Sequence, residues 1–162
     1  MTVPAPEVLL TMPARPEGVG VVRQALAGMA DALDFDPTVL AAMKMAVTEA
    51  CTNVVVHAYD EDAGMLEVEM LADENGLTIV VRDHGAGIQP RPARSEPPAL
   101  GLGLPLIAAL SDAFELKGSA GQGTEVRMTF AYSRNADPAT ANPVTGNVGA
   151  DGRWDPDADS PA

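Results

Sequence analysis

The segment "DPTVLAAMKMAVTEACTNVVVHAY", Asp36 to Tyr59, constrains the fold more than any other part of the chain. Asp36 can cap the free amides of a helix start, and Pro37 suits the first helical position. From there Leu40, Met43, Val47, Ala50, Val54 and Ala58 follow in steps of three and four, which on a helix makes one core-facing stripe. Beside that stripe, at steps of four, run Glu49, Asn53 and His57. A carboxylate, an amide and an imidazole along the margin of a packed surface read in two ways. They form a solvated polar face, or they border a ligand.

The remaining elements are arranged around this helix. "EVLLTMPA", bounded by Pro6 and Pro13, suits a short edge strand. From Pro16 to Phe35, Val19, Val22, Leu26, Met29 and Leu33 keep helical spacing, with Pro16 in the tolerated first turn. "MLEVEMLAD" and "LTIVVRD" predict two strands joined by "ENG", with Asn75-Gly76 in the turn. After a Gly- and Pro-rich loop, "LGLPLIAALSDAF" returns to helical spacing, with Pro105 confined to its first turn. "AFELKGSA" and "TEVRMTFAY" predict a second hairpin across "GQG". The order strand, helix, helix, strand, strand, loop, helix, strand, strand predicts a two-layer α/β sandwich. Its sheet is mixed and mostly antiparallel, covered on one face by three helices.

Composition bounds what such a domain does. A chain of 162 residues with 46% hydrophobic residues fits one domain with its own core, and with only 4% aromatic residues that core is built from Ala, Val, Leu, Ile and Met. Beyond Ser133 large apolar residues nearly vanish, so the reading divides the chain into a domain at 1–132 and a disordered acidic tail at 133–162, with lone Trp154 in the tail. The formal net charge of −13 excludes a direct nucleic-acid binder, which needs a basic face. The single cysteine, Cys51, forms no internal disulfide and by its spacing belongs to the core. Residues 1–20 lack a signal-peptide pattern, and no apolar run reaches the ~18 residues of a membrane span. A soluble, cytoplasmic protein with no membrane contact is expected.

Several short motifs carry chemistry. Asn offers a neutral oxygen suited to Mg²⁺, and a Glu one turn away can orient or deprotonate a hydroxyl attacking a terminal phosphate. In "DHGAGI", Asp83 ends a strand, where its carboxylate can accept from an exocyclic amine such as that of adenine. Gly85 and Gly87 let backbone approach a ring closely, although a plain D-x-G-x-G turn has the same pattern. In "GLGLPLI", Gly101 and Gly103 stand at a helix start, where free amides favour phosphate, although a glycine-rich N-cap looks alike.

Taken in order, these elements resemble the Bergerat-fold (GHKL) ATPase superfamily of gyrase-type, Hsp90-type and histidine-kinase ATP-binding domains. The resemblance runs from about Pro16 to Tyr132. Glu49 to Tyr59 is similar to its N box, Asp83 to Gly87 to its first glycine box, Gly101 to Leu104 to the second, and "GQGTEV", with Gly123 and Thr124, to the last. The small size, the wording "EACTNVVVHAYDED" and the short loop before "GLGLPLI" are most similar to the anti-sigma-factor serine/threonine kinases. The resemblance implies ATP and Mg²⁺ as cofactors, Glu49 as catalytic base, Asn53 as Mg²⁺ ligand and Asp83 as adenine reader. It implies that Gly85, Gly87, Gly101, Leu102, Gly103, Leu104 and Thr124 shape the pocket and contact nucleotide.

The loop from Ile88 to Leu100 would then be the ATP lid. Arg91 and Arg94 on it are cations for phosphate oxygens or, alternatively, for solubility. His57 is read as a helix-end residue favoured by the C-terminal dipole. The chain has no room before residue 16 for the helical hairpin that carries a histidine-kinase phosphoacceptor.

The function implied is an ATP-dependent serine/threonine protein kinase that binds a sigma factor and phosphorylates a small antagonist protein; members of that family commonly dimerise. Two alternatives stand beside it. One is a catalytically silent ATP-binding module that only sequesters a partner, and the other is a detached histidine-kinase ATP-binding domain. Glu49 favours the kinase, since a pure binder needs no base.

Overall fold

The computed structural model describes residues 7–59, 64–87 and 103–132, together with two short strands at 147–148 and 154–155. The expected lid with Arg91 and Arg94, the glycine-box residues Gly101 and Leu102, and the tail apart from those two strands lie outside the described residues.

Strand β1 (Glu7–Pro13) is followed by α1 (Pro16–Ala32) and α2 (Pro37–Asn53), and α2 runs directly into a π turn, Val54–Ala58. Then come β2 (Met65–Ala72), β3 (Gly76–Asp83), α3 (Gly103–Leu110), β4 (Ala113–Gly118) and β5 (Thr124–Ala131). The sheet order is β1-β2-β3-β5-β4, and each of these ladders is antiparallel. Two further strands, β6 (Asn147–Val148) and β7 (Trp154–Asp155), pair only with each other.

Local chemistry fixes the element ends. The Asp36 carboxylate accepts from Thr38 N–H at 2.7 Å, and Pro37 occupies the first turn of α2. At the β2–β3 turn the Asp73 carboxylate accepts from the amides of Asn75 and Gly76, at 2.7 and 3.0 Å, closing an Asx turn.

Period-two alternation then divides the sheet into two unlike faces. Leu66, Val68 and Met70 of β2, Leu77, Ile79 and Val81 of β3, and Val126, Met128 and Phe130 of β5 are buried in one cluster with Val22, Leu26 and Met29 of α1 and Met43, Val47, Ala50 and Cys51 of α2. Leu40, Val19 and Leu33 pack at its margin. Burial pushes the Cys51 thiol up to about 12, so it stays a protonated, unreactive filler. On the other face Arg82 bonds Glu69 at 2.7 Å and Glu125 at 2.8 Å, while Val80 beside it is fully buried.

Contrary to the expectation from sequence, the continuous segment Pro37–Ala58, 22 residues, is long and apolar enough to cross a bilayer by length and composition, with Lys44 and Glu49 within it. Here it is the central helix of the core, with its apolar stripe laid on β3 and β5 and flanked by α1 and α3.

Candidate functional site

The end of α2, the C-terminal end of β3, the start of α3 and the β4–β5 hairpin enclose a cavity of about 130 Å³. Its walls are mostly apolar, from Ala50, Val54, Val81, Leu104, Leu116 and Val126, with Asn53, His57, Asp83 and Thr124 as the polar side chains. An apolar cleft holding a few convergent polar groups is the usual form of a small-molecule site.

Asp83 closes the inner end. It is 6% exposed, the one charged residue buried among the described residues. One carboxylate oxygen accepts from Gly85 N–H at 2.9 Å, and the other has no partner among the described residues. The second oxygen keeps its lone pairs for a further donor, and Asp83 lies on the cavity wall. Its free oxygen therefore suits a donor carried by the ligand, such as an exocyclic amine.

Backbone contacts hold this end. Gly85 lies so close to the Ala58 carbonyl that an added Cβ would collide with it, and the next amide, Ala86, donates to that same carbonyl at 3.0 Å. Gly121 N–H donates to Ala86 O at 2.7 Å, tying the β4–β5 hairpin to the same loop. Gly123, at φ 77°, is in the left-handed region, and a Cβ there would strike the Asp83 carbonyl. Gly87 and Thr124 lie on the cavity wall, and Gly85 acts behind it.

Where Asn53 lines the cavity wall, it and Glu49 converge on the first residue of α3. A methyl group placed on Gly103 would lie 3.3 Å from Glu49 Oε2 and 3.5 and 3.6 Å from the two polar atoms of the Asn53 amide. Both side chains are half-buried, and neither makes a side-chain hydrogen bond among the described residues. A carboxylate and an amide oxygen thus stand together beside a helix start, where unpaired amides favour an anion.

The structure brings together Glu49, Asn53, Asp83, Gly85, Gly87, Gly103, Leu104 and Thr124 around one cavity and its supports. His57 stands in the last helical turn, exposed, and lines the cavity beside Asn53. The π turn Val54–Ala58, which the sequence did not signal, intervenes between Asn53 and the end of the helix. Tyr59, which the spacing left unassigned, bonds both β2 and the residue after Asp83.

A sandwich of this topology, with a carboxylate at a strand end and a carboxylate–amide pair on the facing helix, has the layout of the histidine kinase-like ATPase domains. A family model for the histidine kinase-like ATPase domain matches residues 12–130, and the chain belongs to that family. It is 32% identical over 151 residues to the serine-protein kinase RsbW of Bacillus cereus (strain AH820), covering 86% of this chain and 93% of that one. The serine-protein kinase RsbW of Bacillus anthracis matches over the same shares at the same identity. The crystal structure of the RsbU and RsbW domains of Rv1364c from Mycobacterium tuberculosis superposes with a TM-score of 0.62 at 24% identity, which is a likeness of fold. The match covers 79% of this chain and 32% of that longer chain.

Proposed function

We propose that this chain is an ATP-dependent serine/threonine protein kinase of the anti-sigma type, binding a sigma factor and transferring the terminal phosphate of ATP to a serine of a small antagonist protein. The observation that carries this reading is the convergence of Glu49 and Asn53 on Gly103 beside a cavity lined by both Asn53 and Asp83. The relatives' name, serine-protein kinase, agrees with it.

In this reading the adenine ring enters the apolar part of the cavity and its amine donates to the free oxygen of Asp83. The triphosphate then runs toward the start of α3, past Asn53. Asn53 supplies one neutral oxygen for Mg²⁺, and among the described residues no three His, Cys, Asp or Glu side chains gather to hold a metal. That donor set fits an ion kept mainly by phosphates and water. When bound, Mg²⁺ neutralises charge on the β- and γ-phosphates.

Glu49 accepts the proton of the attacking serine hydroxyl and orients its oxygen in line with the terminal phosphorus. Apolar walls keep bulk water away from the transfer. Arg91, Gly101 and Leu102, outside the described residues, are proposed to contact the nucleotide as well. A soluble cytoplasmic regulator, acting as a homodimer, completes the proposal.

The experiment is direct. Purified chain, Mg²⁺ and radiolabelled ATP are incubated with candidate antagonist proteins of the same genome. Label on a serine of one of them supports the reading. Tight ATP binding with no transfer to any of them points instead to a sequestration module, and label on a histidine to a histidine-kinase domain.

A further inference from the structure

We propose that the Tyr59 phenol is a positioning residue for the nucleotide base, fixing the backbone that carries Asp83 and thereby setting preference for a 6-amino purine. This rests on the reading of the cavity as an ATP site. Strands β2 and β3 pair in register from Ala72↔Leu77 to Leu66↔Asp83, and one further step would set Met65 against His84. That step is filled by a side chain. The Tyr59 hydroxyl accepts from His84 N–H at 2.9 Å and donates to the Met65 carbonyl at 2.6 Å. Its single O–H and a lone pair are both used, so the phenol extends the ladder beyond the residue that reads the base.

The ring is held as well. Gly64, which precedes Met65, lies against it so closely that an added Cβ would collide with the ring. Three successive amides after Asp83 are each bound by a different acceptor: His84 by Tyr59 Oη at 2.9 Å, Gly85 by the Asp83 carboxylate at 2.9 Å and Ala86 by the Ala58 carbonyl at 3.0 Å. The middle bond sets the orientation of the Asp83 carboxylate, and the outer two hold the peptide that makes it. Both outer acceptors, Ala58 and Tyr59, are consecutive residues at the end of the segment that bears Asn53. Tyr59 is not itself among the residues that line the cavity. Its effect passes through Asp83, and it should move base recognition without moving the chemical step.

Tyr59→Phe keeps the ring over Gly64 and removes the oxygen. Titration calorimetry with Mg-ATP and with Mg-inosine triphosphate, whose base carries an oxygen in place of the 6-amino group, separates the roles. The expected result is an ATP affinity lowered about 3- to 10-fold, the scale of one ordinary hydrogen bond. Inosine triphosphate affinity should change less than about twofold, so the preference narrows. Phosphoryl transfer at saturating ATP should stay within about twofold of the parent, while KM for ATP rises.

Equal ATP affinity and equal preference in parent and variant overturn the proposal. So does a parallel loss of both nucleotides, which would make the phenol a general support of the domain. Should the variant not fold, amide exchange in the parent decides: His84, though exposed, should exchange slowly, and fast exchange overturns the proposal. A parent that binds no ATP overturns the ATP-site reading itself, and this proposal with it; a parent that binds, beside an unchanged variant, overturns the proposal alone.

Discussion

The two ends of the cavity are built by different means. At the Asp83 end the functional group is embedded: its carboxylate is bound by Gly85 N–H, and the surrounding backbone is bonded to Ala58 and Gly121. At the Gly103 end Glu49 and Asn53 meet as half-buried side chains with no side-chain hydrogen bond among the described residues. The first is held by backbone hydrogen bonds, which under the proposed function suits recognition of a flat, invariant base. Under the proposed function the second leaves its polar groups free for phosphate, metal and an incoming hydroxyl, whose positions change during transfer. Recognition and chemistry can therefore be broken separately.

The largest expected effect is at the free end. Glu49→Gln keeps side-chain size and removes the base, so transfer should slow by ~10²–10⁴-fold, the usual contribution of general-base catalysis, while ATP binding persists. At the embedded end, Asp83→Asn should weaken ATP binding by roughly 1.5–3 kcal/mol, the range for a hydrogen bond to a charged group, as read by titration calorimetry. Gly123→Ala would force a side chain into a left-handed conformation against the Asp83 carbonyl. A loss of about 1–3 kcal/mol in unfolding free energy by denaturant titration is expected, and a neutral result would contradict the backbone lock.

Legibility in the sequence followed the range of the interactions. The Glu49–Asn53 pair was visible because both lie on one helix, where a four-residue step fixes their common face. Strand pairs β2–β3 and β4–β5 were visible from their turns, whereas the β3–β5 pairing that places Thr124 beside Asp83 has no local signal. Gly85 was read as room for a ring, yet its nearest neighbour is the Ala58 carbonyl, 27 positions earlier in the chain. The spacing also assumed an unbroken α-helix through His57. A π turn there adds a residue to the last turn, and His57 stands on the cavity wall. The Tyr59 bridge joins residues that only the folded sheet brings together.

Smaller effects are expected on the open face of the sheet, away from the cavity. The hydrogen bond from Arg82 holds the Glu125 carboxyl below its ordinary range, aided by charge attraction from Arg82, Arg127 and Lys117 and opposed by burial. Because the folded value is depressed, the stabilisation is present above the unfolded carboxyl value and is lost as pH falls through the folded one. Glu125→Gln should cost at most about 1 kcal/mol at neutral pH, with the difference from the parent fading in acid. ATP affinity should not change. Truncation after Ser133 should have the least effect of all, leaving melting temperature and ATP affinity almost unchanged. A large drop in either would show that residues near Trp154 support the domain.

The separation of the two ends is tested most directly by one paired measurement. Single-turnover transfer at saturating Mg-ATP and the Kd for ATP are determined side by side for the parent, Glu49→Gln and Asp83→Asn, with a serine-bearing antagonist protein as acceptor. The predicted result is crossed: Glu49→Gln loses the rate and keeps the Kd, whereas Asp83→Asn loses the Kd and keeps most of the rate. Variants that lose both quantities together, or a Glu49→Gln protein that transfers phosphate as fast as the parent, would contradict the account.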